Sequence, residues 1–267
     1  VTFGQQPQRD FSKENARISQ EWVKDAVIYE IFPRQYSAKG DFNSITKDLD
    51  RLKDLGVTVL WLMPIHPIGE LKKKGTIGSP YAVKDFYAIN PDYGTSEDLK
   101  RLVSEAHKRG QKVIIDIVAN HTAWDSVMMK NSAFYTKNDK GEIIPPVADW
   151  ADVADLNYEN PELRKYIIEM LKFWVRDYDL DGFRCDVAGF IPTDFWENAR
   201  AEVDKIKPNT IWLAEWESPD LLVKAFDLDY SWAFHSTLDK VLHGQISASK
   251  IRETWEADSA KMPKNAL

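Results

Sequence analysis

Short apolar segments alternate with amphipathic segments along most of this chain, and the alternation limits the folds that are open to it. Residues 57–63 and 113–118 are almost continuously apolar, which is typical of strands in parallel sheets that are covered on both faces. A segment with helical spacing follows each of them. One strand and one helix recur about every 30 to 40 residues, so the chain is predicted to form right-handed β-α-β units around a parallel sheet.

Six strands are predicted from this pattern. They lie at residues 26–32, 57–63, 113–118, 182–187, 211–216 and 226–230. Thr95 or Ser96 is predicted to cap one helix, which Gly110 ends, and Pro161 lies in the first turn of another. A doubly wound sheet and a (β/α)8 barrel both fit this pattern. No Gly-x-Gly-x-x-Gly motif follows a strand, which argues against the dinucleotide-binding form of the doubly wound sheet.

Composition argues against several classes of function. A net charge of −7 and a pI of about 5.4 give no electrostatic reason to expect nucleic acid or an anionic membrane as a partner. No apolar run approaches the roughly 18 residues of a membrane span. The single cysteine, Cys185, excludes an internal disulfide and is predicted to be a core residue. The sequence does not fix the compartment, and a secreted or periplasmic location is favoured over a cytoplasmic one.

The fourth predicted strand carries a charged pair. Residues 181–189 read Asp-Gly-Phe-Arg-Cys-Asp-Val-Ala-Gly. Because strand side chains alternate, Arg184 and Asp186 are predicted to face one side, while Val187 and the other apolar residues face the opposite side. The guanidinium is predicted to lower the pKa of Asp186 and keep that carboxylate ionised. A fixed, ionised carboxylate can act as a nucleophile or stabilise a positive charge. An isolated Arg-x-Asp is more often a structural ion pair, so the neighbouring strands decide between the catalytic and the structural interpretation.

Polar residues also stand near the C-terminal ends of the third, fourth and fifth predicted strands. They are Asp116, Asn120, His121, Arg184, Asp186 and Glu215. Separate structural roles would require several buried polar networks, each fully satisfied. In a (β/α)8 barrel the active site lies at this end of the strands and is assembled from several of them. One shared site is therefore the more economical interpretation.

Asp186 and Glu215 are expected to differ in protonation. Arg184 stands beside Asp186, whereas Glu215 lies in an otherwise apolar strand and is expected to hold its proton. An ionised carboxylate next to a protonated one can serve as nucleophile and general acid. Such a pair hydrolyses glycosidic bonds with retention when the carboxyl groups stand about 5–5.5 Å apart.

Several segments resemble the α-amylase family of glycoside hydrolases. Those similar to three of the family's four signature regions are residues 116–121 (Asp-Ile-Val-Ala-Asn-His), 182–188 (Gly-Phe-Arg-Cys-Asp-Val-Ala) and 214–217 (Ala-Glu-Trp-Glu). Residues 155–157 (Asp-Leu-Asn) resemble an additional short signature, and residues 79–95 resemble the segment after the second strand. The resemblance covers about residues 24–240, with all motifs in the family's order.

This resemblance implies an α/β fold of the (β/α)8 TIM-barrel type, incomplete, with about six β/α units. Residues 1–121 are expected to form the first half of the catalytic barrel. Residues 122–157 have little periodicity and are expected to form a short domain inserted after the third strand. Residues 158–267 are expected to continue the barrel through about the sixth strand.

The resemblance also implies catalytic roles for three residues. Asp186 resembles the nucleophile, which forms a covalent glycosyl-enzyme. Glu215 resembles the acid/base, and Arg184 resembles the residue that orients the nucleophile. No cofactor is expected for this chemistry.

Further residues resemble the family's binding positions. Tyr81 and His121 resemble residues around the sugar on the non-reducing side of the cut, with Tyr81 stacked on its ring. Asp116, which resembles a supporting residue at a strand end, and Trp216 are included in the substrate-binding set. Asn120 resembles a position that in many members ligates a structural calcium ion, so calcium is a possible ligand.

The chain departs from the family pattern at the fourth signature, a His-Asp pair after the seventh strand. No His-Asp pair occurs in the sequence. The chain stops at Leu267, near where the seventh strand would begin, so strands seven and eight are expected to belong to a longer protein. A C-terminal segment or another chain is expected to complete the barrel, and this chain alone is expected to be impaired in catalysis.

Three functions remain open from the sequence. The leading one is hydrolysis of α-glucosidic bonds in starch, maltodextrins or related α-glucans. The second is a non-catalytic α-glucan-binding or scaffold role. The third is a transferase or isomerase that uses the same covalent intermediate. Linkage and chain-length preference are not fixed by the sequence.

Overall fold

A computed structural model describes residues 9–267, which form eight strands, nine α-helices and five short 3-10 helices. Residues 1–8 of the predicted first domain lie outside the described residues. The strands are β1 (Ile28–Ile31), β2 (Val59–Leu62), β3 (Lys112–Ile117), β4 (His121–Ala123), β5 (Val153–Asp155), β6 (Gly182–Cys185), β7 (Ile211–Ala214) and β8 (Leu228–Asp229). The helices are α1 (Pro33–Tyr36), α2 (Phe42–Lys47), α3 (Leu49–Asp54), α4 (Ser96–Lys108), α5 (Pro161–Tyr178), α6 (Thr193–Asp204), α7 (Pro219–Lys224), α8 (Trp232–Leu242) and α9 (Ser249–Ser259).

Six of the strands form one parallel sheet in the order β1-β2-β3-β6-β7-β8. This order follows the chain without a reversal, whereas a doubly wound sheet reverses direction at its switch point. The fold is therefore an α/β half-barrel, six strands of a (β/α)8 barrel with β1 and β8 at its two edges. The incomplete barrel predicted from the sequence is confirmed.

The two faces of this sheet differ in what they contact. Leu60, Ile115 and Phe183 point outward and are completely buried in the main core, together with the apolar faces of the helices. Val59 and Ile114 point inward and belong to a smaller apolar cluster inside the half-barrel. Because strand side chains alternate, each strand that feeds the outer core also projects side chains into the interior.

Local signals set the helix boundaries as predicted. Thr95 caps α4 in a reciprocal capping box with Asp98, and Gly110 follows the last turn with φ of 75°. The side chain of Asn160 accepts hydrogen bonds from the first turn of α5, and Pro161 is the first residue of that helix. These caps fix where each helix returns the chain to the sheet.

Gly182 permits the close pairing of β6 with β7. Its φ is 146°, and a Cβ atom at this position would lie 1.8 Å from the carbonyl oxygen of Ile211. No other residue can occupy this position without separating the two strands. The glycine thereby allows the two strands to pair from their first residues, and the register that starts there places Cys185 opposite Ala214 at their C-terminal ends.

The predicted inserted segment contains the small antiparallel pair of β4 with β5, in which His121 is opposite Asp155. It packs onto the loop after β2, since the N–H of Ala123 donates to the carbonyl of Val83 at 2.9 Å. Its division from the barrel at residues 121 and 157 stays a prediction. None of the helices in residues 9–267 is long and apolar enough to cross a membrane.

Candidate active site

One guanidinium at the end of β6 holds three carboxylates from three different strands. Arg184 Nη1 donates to both carboxylate oxygens of Asp116, at 2.9 and 3.0 Å, and to Asp186 Oδ1 at 3.0 Å. Arg184 Nη2 lies 2.7 Å from Glu215 Oε1. The register of the sheet explains the arrangement, because Asp116 is directly opposite Arg184 and β7 pairs with the other side of β6. The structure thus brings together four of the residues singled out from the sequence.

Two aromatic rings enclose this guanidinium. The Cζ atom of Arg184 lies 5.0 Å from the ring centroid of Trp61 and 5.8 Å from that of Tyr230. Arg184 Nε also donates to the hydroxyl of Tyr230 at 3.4 Å. A guanidinium favours such aromatic neighbours, and its planar set of donors fixes the partners around it. Arg184 is therefore a rigid centre on which the carboxylates are positioned.

The charge balance at this centre raises the pKa of two carboxyl groups. Burial raises the pKa of Asp186, and the charge of Asp116 raises it further, against the smaller opposing effect of Arg184. Burial likewise raises the pKa of Asp116. Arg184 acts in the predicted direction, but the prediction of a lowered pKa for Asp186 is wrong, because burial and the charge of Asp116 outweigh a cation that is shared among three acids.

Glu215 does not have the apolar surroundings expected from its neighbours in sequence. Its side chain is 23% exposed and pairs with Arg184. Its second oxygen, Oε2, accepts the backbone N–H of Val187 at 2.9 Å. The alternation of apolar residues along β7 does not reveal these partners, which come from β6 and the turn after it.

The turn after β6 has an unusual backbone. β6 ends at Cys185, and Val187 has φ of 40° and ψ of 47°, a left-handed conformation that is rare for a β-branched residue. The sequence pattern predicted that Val187 continues the apolar face of the strand, and this prediction is wrong because the strand ends before it. The left-handed turn directs its N–H to Glu215 instead. Strained backbone of this kind is found at functional sites, where the surrounding structure holds it in place.

A cavity of about 420 Å3 opens above the two carboxylates of Asp186 and Glu215. Its other lining residues are Lys74, Ser79, Tyr81, His121, Trp150, Asp152, Val153 and Val187. Cavities of this size in proteins bind small molecules. The predicted substrate-binding residues Tyr81 and His121 lie in this lining, on the side of the loops that follow β2 and β3.

His121 is a buried, neutral member of the lining. Burial lowers its pKa to about 4, although the negative charge of Asp152 acts in the opposite direction. Its ring centroid lies 5.7 Å from that of Trp150. A neutral imidazole beside an indole offers hydrogen bonding and apolar surface but no positive charge near neutral pH.

Two predicted substrate-binding residues lie elsewhere. Asp116 is completely buried beneath Arg184 and does not line the cavity, so it acts through the guanidinium. The ring of Trp216 packs against Gly189, where an added Cβ would lie 2.1 Å from it, and against Phe190, and it is also absent from the lining. Asp116 was included because it resembles a supporting residue at a strand end, and Trp216 follows Glu215 in the sequence; neither ground shows which side chains reach the opening.

Asn120 was the predicted position for calcium. It is buried, and its amide nitrogen lies 3.2 Å from Nδ1 of His121. No group of three or more His, Cys, Asp or Glu side chains that could hold a metal ion occurs among residues 9–267. Calcium at Asn120 stays a prediction, and no step below depends on it.

The sequence reasoning missed Trp150, Lys74, Asp152 and the backbone of Val187. The first three lie in long loops without periodicity, where residue type alone does not distinguish the lining of a cavity from a solvated surface. The length of residues 122–157 was the available signal, because long loops in compact domains are usually functional.

The half-barrel and its site define a class of protein before any comparison is made. A parallel barrel sheet with paired carboxylates at the C-terminal ends of neighbouring strands is the arrangement of a barrel enzyme that acts with acidic side chains. The family profile described as "Alpha amylase, catalytic domain" matches residues 8–143 and 147–226. The chain belongs to the alpha-amylase family of glycoside hydrolases.

Known proteins agree with this assignment. The chain is 32% identical over 232 residues to Alpha-amylase 3 of Dictyoglomus thermophilum, a match that covers 74% of this chain and 44% of the relative. An alpha-amylase structure from Lactobacillus plantarum superposes with a TM-score of 0.88 at 39% identity, over 93% of this chain and 62% of that one. An alpha-amylase from Geobacillus thermoleovorans, solved in complex with acarbose, gives a TM-score of 0.74 at 27% identity, over 96% and 60%. The chain spans about half the length of the curated relatives it matches.

Proposed function

We propose that the protein hydrolyses α-glucosidic bonds in starch, maltodextrins or related α-glucans with retention of configuration at the anomeric carbon. Asp186 is the nucleophile, Glu215 is the acid/base, and Arg184 orients Asp186. The observation that carries this proposal is that the carboxylates of Asp186 and Glu215 bind one guanidinium and line one cavity. Retaining hydrolysis requires two such groups around a single glycosidic bond.

The two carboxyl groups divide the reaction into two displacements. Asp186 attacks the anomeric carbon to form an ester, while Glu215 donates a proton to the departing glycosidic oxygen. Glu215 then takes a proton from water, which attacks the same carbon and releases the ester as the free sugar and the Asp186 carboxylate. The partial exposure of Glu215 allows the exchange of protons and water that this role requires.

The excess of negative charge favours the transition state. With Asp116 and Asp186 ionised, the single guanidinium of Arg184 leaves an excess of negative charge at the site. A sugar ring that develops positive charge is stabilised by such preorganised carboxylates. Because the pKa of Asp186 is raised, the acid limb of the activity profile is expected to follow the loss of its proton as the pH rises.

The lining of the cavity supports the proposal that the substrate is uncharged. Lys74 is the one lysine or arginine among the described lining residues, and its ammonium is 3.0 Å from Asp152. His121 is neutral near pH 7 because its pKa is lowered to about 4. Tyr81 and Trp150 add aromatic surface, which is suited to the apolar faces of sugar rings.

The activity of this chain alone is proposed to be weak. The sequence contains no His-Asp pair, the family's fourth signature, and the sheet has six strands within residues 9–267. A segment that supplies further strands, from the same protein or another chain, is proposed to increase turnover. The distinction between a hydrolase and a binding protein therefore depends on measured turnover.

The test compares the chain with two variants on maltotriose and on α-maltosyl fluoride. Asp186→Asn is expected to lower the rate on both substrates by about a thousandfold or more, because no ester can form. Glu215→Gln is expected to lose about a thousandfold on maltotriose but far less in fluoride release, since fluoride leaves without a donated proton. NMR of the first product is expected to show the α anomer.

Four results would contradict parts of this proposal. Full activity of either variant on maltotriose would contradict the roles assigned to Asp186 and Glu215. A β anomer as first product would contradict retention of configuration. Maltotriose binding without any turnover, even with the longer protein, would favour the non-catalytic α-glucan-binding role. Longer oligosaccharides as the main product from maltose would favour a transferase.

A further inference from the structure

The cavity has two chemically different ends, which the sheet order fixes. Glu215 follows β7, at one end of the lining, and Asp186 follows the neighbouring β6. Lys74 and Ser79 lie in the loop after β2, and Asp152 lies in the segment inserted after β3. Since β2 and β3 are on the far side of β6 from β7, the loop residues stand opposite the acid/base end.

The proposed chemistry gives these ends a direction. The acid donates its proton to the oxygen of the departing sugar, so the leaving group lies on the Glu215 side. The sugar that becomes bound to Asp186 therefore extends away from Glu215, toward the loops after β2 and β3. The non-reducing end of the substrate is on this side of the cut.

An ion pair joins the two segments that form the wall at that end. Lys74 Nζ lies 3.0 Å from Asp152 Oδ1 and donates to the carbonyl of Asp149 at 2.7 Å. The side chain of Asp152 is only 7% exposed, whereas that of Lys74 is 56% exposed and reaches over it from outside. One ammonium thus joins the loop after β2 to the inserted segment.

Additional contacts hold the same two segments together. Lys72 Nζ lies 3.6 Å from the ring centroid of Trp124. The N–H of Glu70 donates to Asp125 at 3.1 Å. Gly69 lies so close to the inserted segment that a Cβ atom there would be 2.2 Å from Cβ of Ala123. The wall is therefore anchored along its length, and the ion pair is its last contact before the cavity.

We propose that the Lys74–Asp152 ion pair closes the non-reducing end of the cavity, so that the protein binds the ends of α-glucan chains and excludes internal stretches. This inference rests on the function proposed above. A volume of about 420 Å3 is near the lower end of the range for ligand cavities, which fits the end of a short oligosaccharide. Lys74 acts as a wall and not as a sugar-binding cation, because two of its three donors are held by Asp152 and Asp149 and its charge is paired with Asp152.

The experiment measures binding, so that it does not depend on turnover. Maltotetraose and maltotetraose blocked at its non-reducing end with a 4,6-O-benzylidene group are titrated calorimetrically into the chain carrying Glu215→Gln. The blocked sugar is expected to bind at least about tenfold more weakly, because its extra ring meets the closed wall. Adding Lys74→Ala and Asp152→Ala is expected to reduce that difference to about twofold or less.

A matched control and a milder variant accompany the double variant Lys74→Ala/Asp152→Ala. Lys73→Ala removes a neighbouring lysine of the same loop, which pairs with Glu70 and does not line the cavity, so the tenfold preference should remain. Asp152→Asn keeps the shape of the side chain and serves if the double variant fails to fold. It should reduce the preference by weakening the bond to Lys74.

The outcomes separate the two proposals. If the Glu215→Gln chain, with Lys74 and Asp152 unaltered, binds the free and the blocked sugar equally, the proposed closure is overturned and the proposed function stays in place. An equal loss of affinity for both sugars in Lys74→Ala would also overturn it, since Lys74 would then contact the sugar directly. Failure of both sugars to bind any variant would overturn the proposed function and the closure together.

Discussion

Asp181 and Asp186 stand at the two ends of β6, both are almost completely buried, and their pKa values move in opposite directions. Burial tends to raise the pKa of Asp181, but a hydrogen bond from His107, the charge of Lys207 and the N–H of Val113 outweigh it, and the pKa is lowered. At Asp186, burial and the charge of Asp116 prevail over Arg184, and the pKa is raised. The ionised form of an aspartate is thus stabilised at one end of β6 and destabilised at the other.

The difference lies in how many donors surround each carboxylate. Around Asp181, His107 Nε2 lies at 2.6 Å, Lys207 at 3.2 Å and Lys112 at 3.3 Å, and the Val113 N–H donates at 2.9 Å. Such an acid is satisfied and contributes to the stability of the fold. Where three acids share one guanidinium, the free protein retains unfavourable charge that a cationic transition state can relieve. The comparison supports the proposal that the catalytic residues lie at the C-terminal end of the sheet.

The largest effect is expected when the shared cation is removed. Arg184→Leu removes the cation that three carboxylates share, two of them buried, and should lower the free energy of unfolding at pH 8 by about 3–5 kcal/mol. The loss should shrink as the pH falls toward 4, because the carboxyl groups then take up protons. Urea unfolding at several pH values measures it. Arg176→Leu, which removes an exposed pair with Asp177, is the control and should change stability by less than about 1 kcal/mol.

A smaller loss is expected at the satisfied end. Asp181→Asn should lower the free energy of unfolding at pH 7 by about 2–3 kcal/mol, since His107, Lys207 and the Val113 N–H lose a charged acceptor. Its pKa is lowered in the folded state, so its contribution is present above the unfolded value of about 3.9 and is lost as the pH falls through the folded value. A variant as stable as the unaltered chain at pH 7 would contradict this account of Asp181.

The smallest effect has the opposite sign. Asp186→Asn should raise the free energy of unfolding at pH 8 by about 1 kcal/mol while abolishing turnover, because it removes one of three competing charges. The folded pKa is raised, so the unaltered chain loses stability as the pH rises from the unfolded value of about 3.9 through the folded value. The gain should therefore vanish near pH 4. Destabilisation at pH 8 would show that Asp186 is satisfied as Asp181 is, and the contrast would fail.

The alternation of strands and helices made much of the architecture predictable. The six strands of the sheet lie where apolar segments predicted them, and the cap at Thr95 and the first-turn proline Pro161 are in place. The grouping of Asp116, Arg184, Asp186 and Glu215 was also predicted, because parallel strands bring their C-terminal ends to one edge. These features depend on local pattern and on the geometry common to all parallel sheets.

Other features could not be predicted in this way. Alternation along β6 placed Val187 with the apolar residues, but the chain turns into a left-handed conformation there and the N–H of Val187 reaches Glu215. Trp216 was expected at the substrate, but Gly189 provides a surface on which its ring packs instead. In each case a contact from another part of the chain decided the position of the side chain.

The sequence by itself determined the parallel half-barrel, its family and the strand ends at which acids meet, because these follow from periodicity and from short motifs read in order. Only the tertiary structure decided how charge is distributed over those acids and which loops close the cavity above them. A pKa depends on every charge and on the burial around a group, and a wall such as the one at Lys74 and Asp152 joins residues far apart in the chain. Neither quantity is contained in any local stretch of sequence.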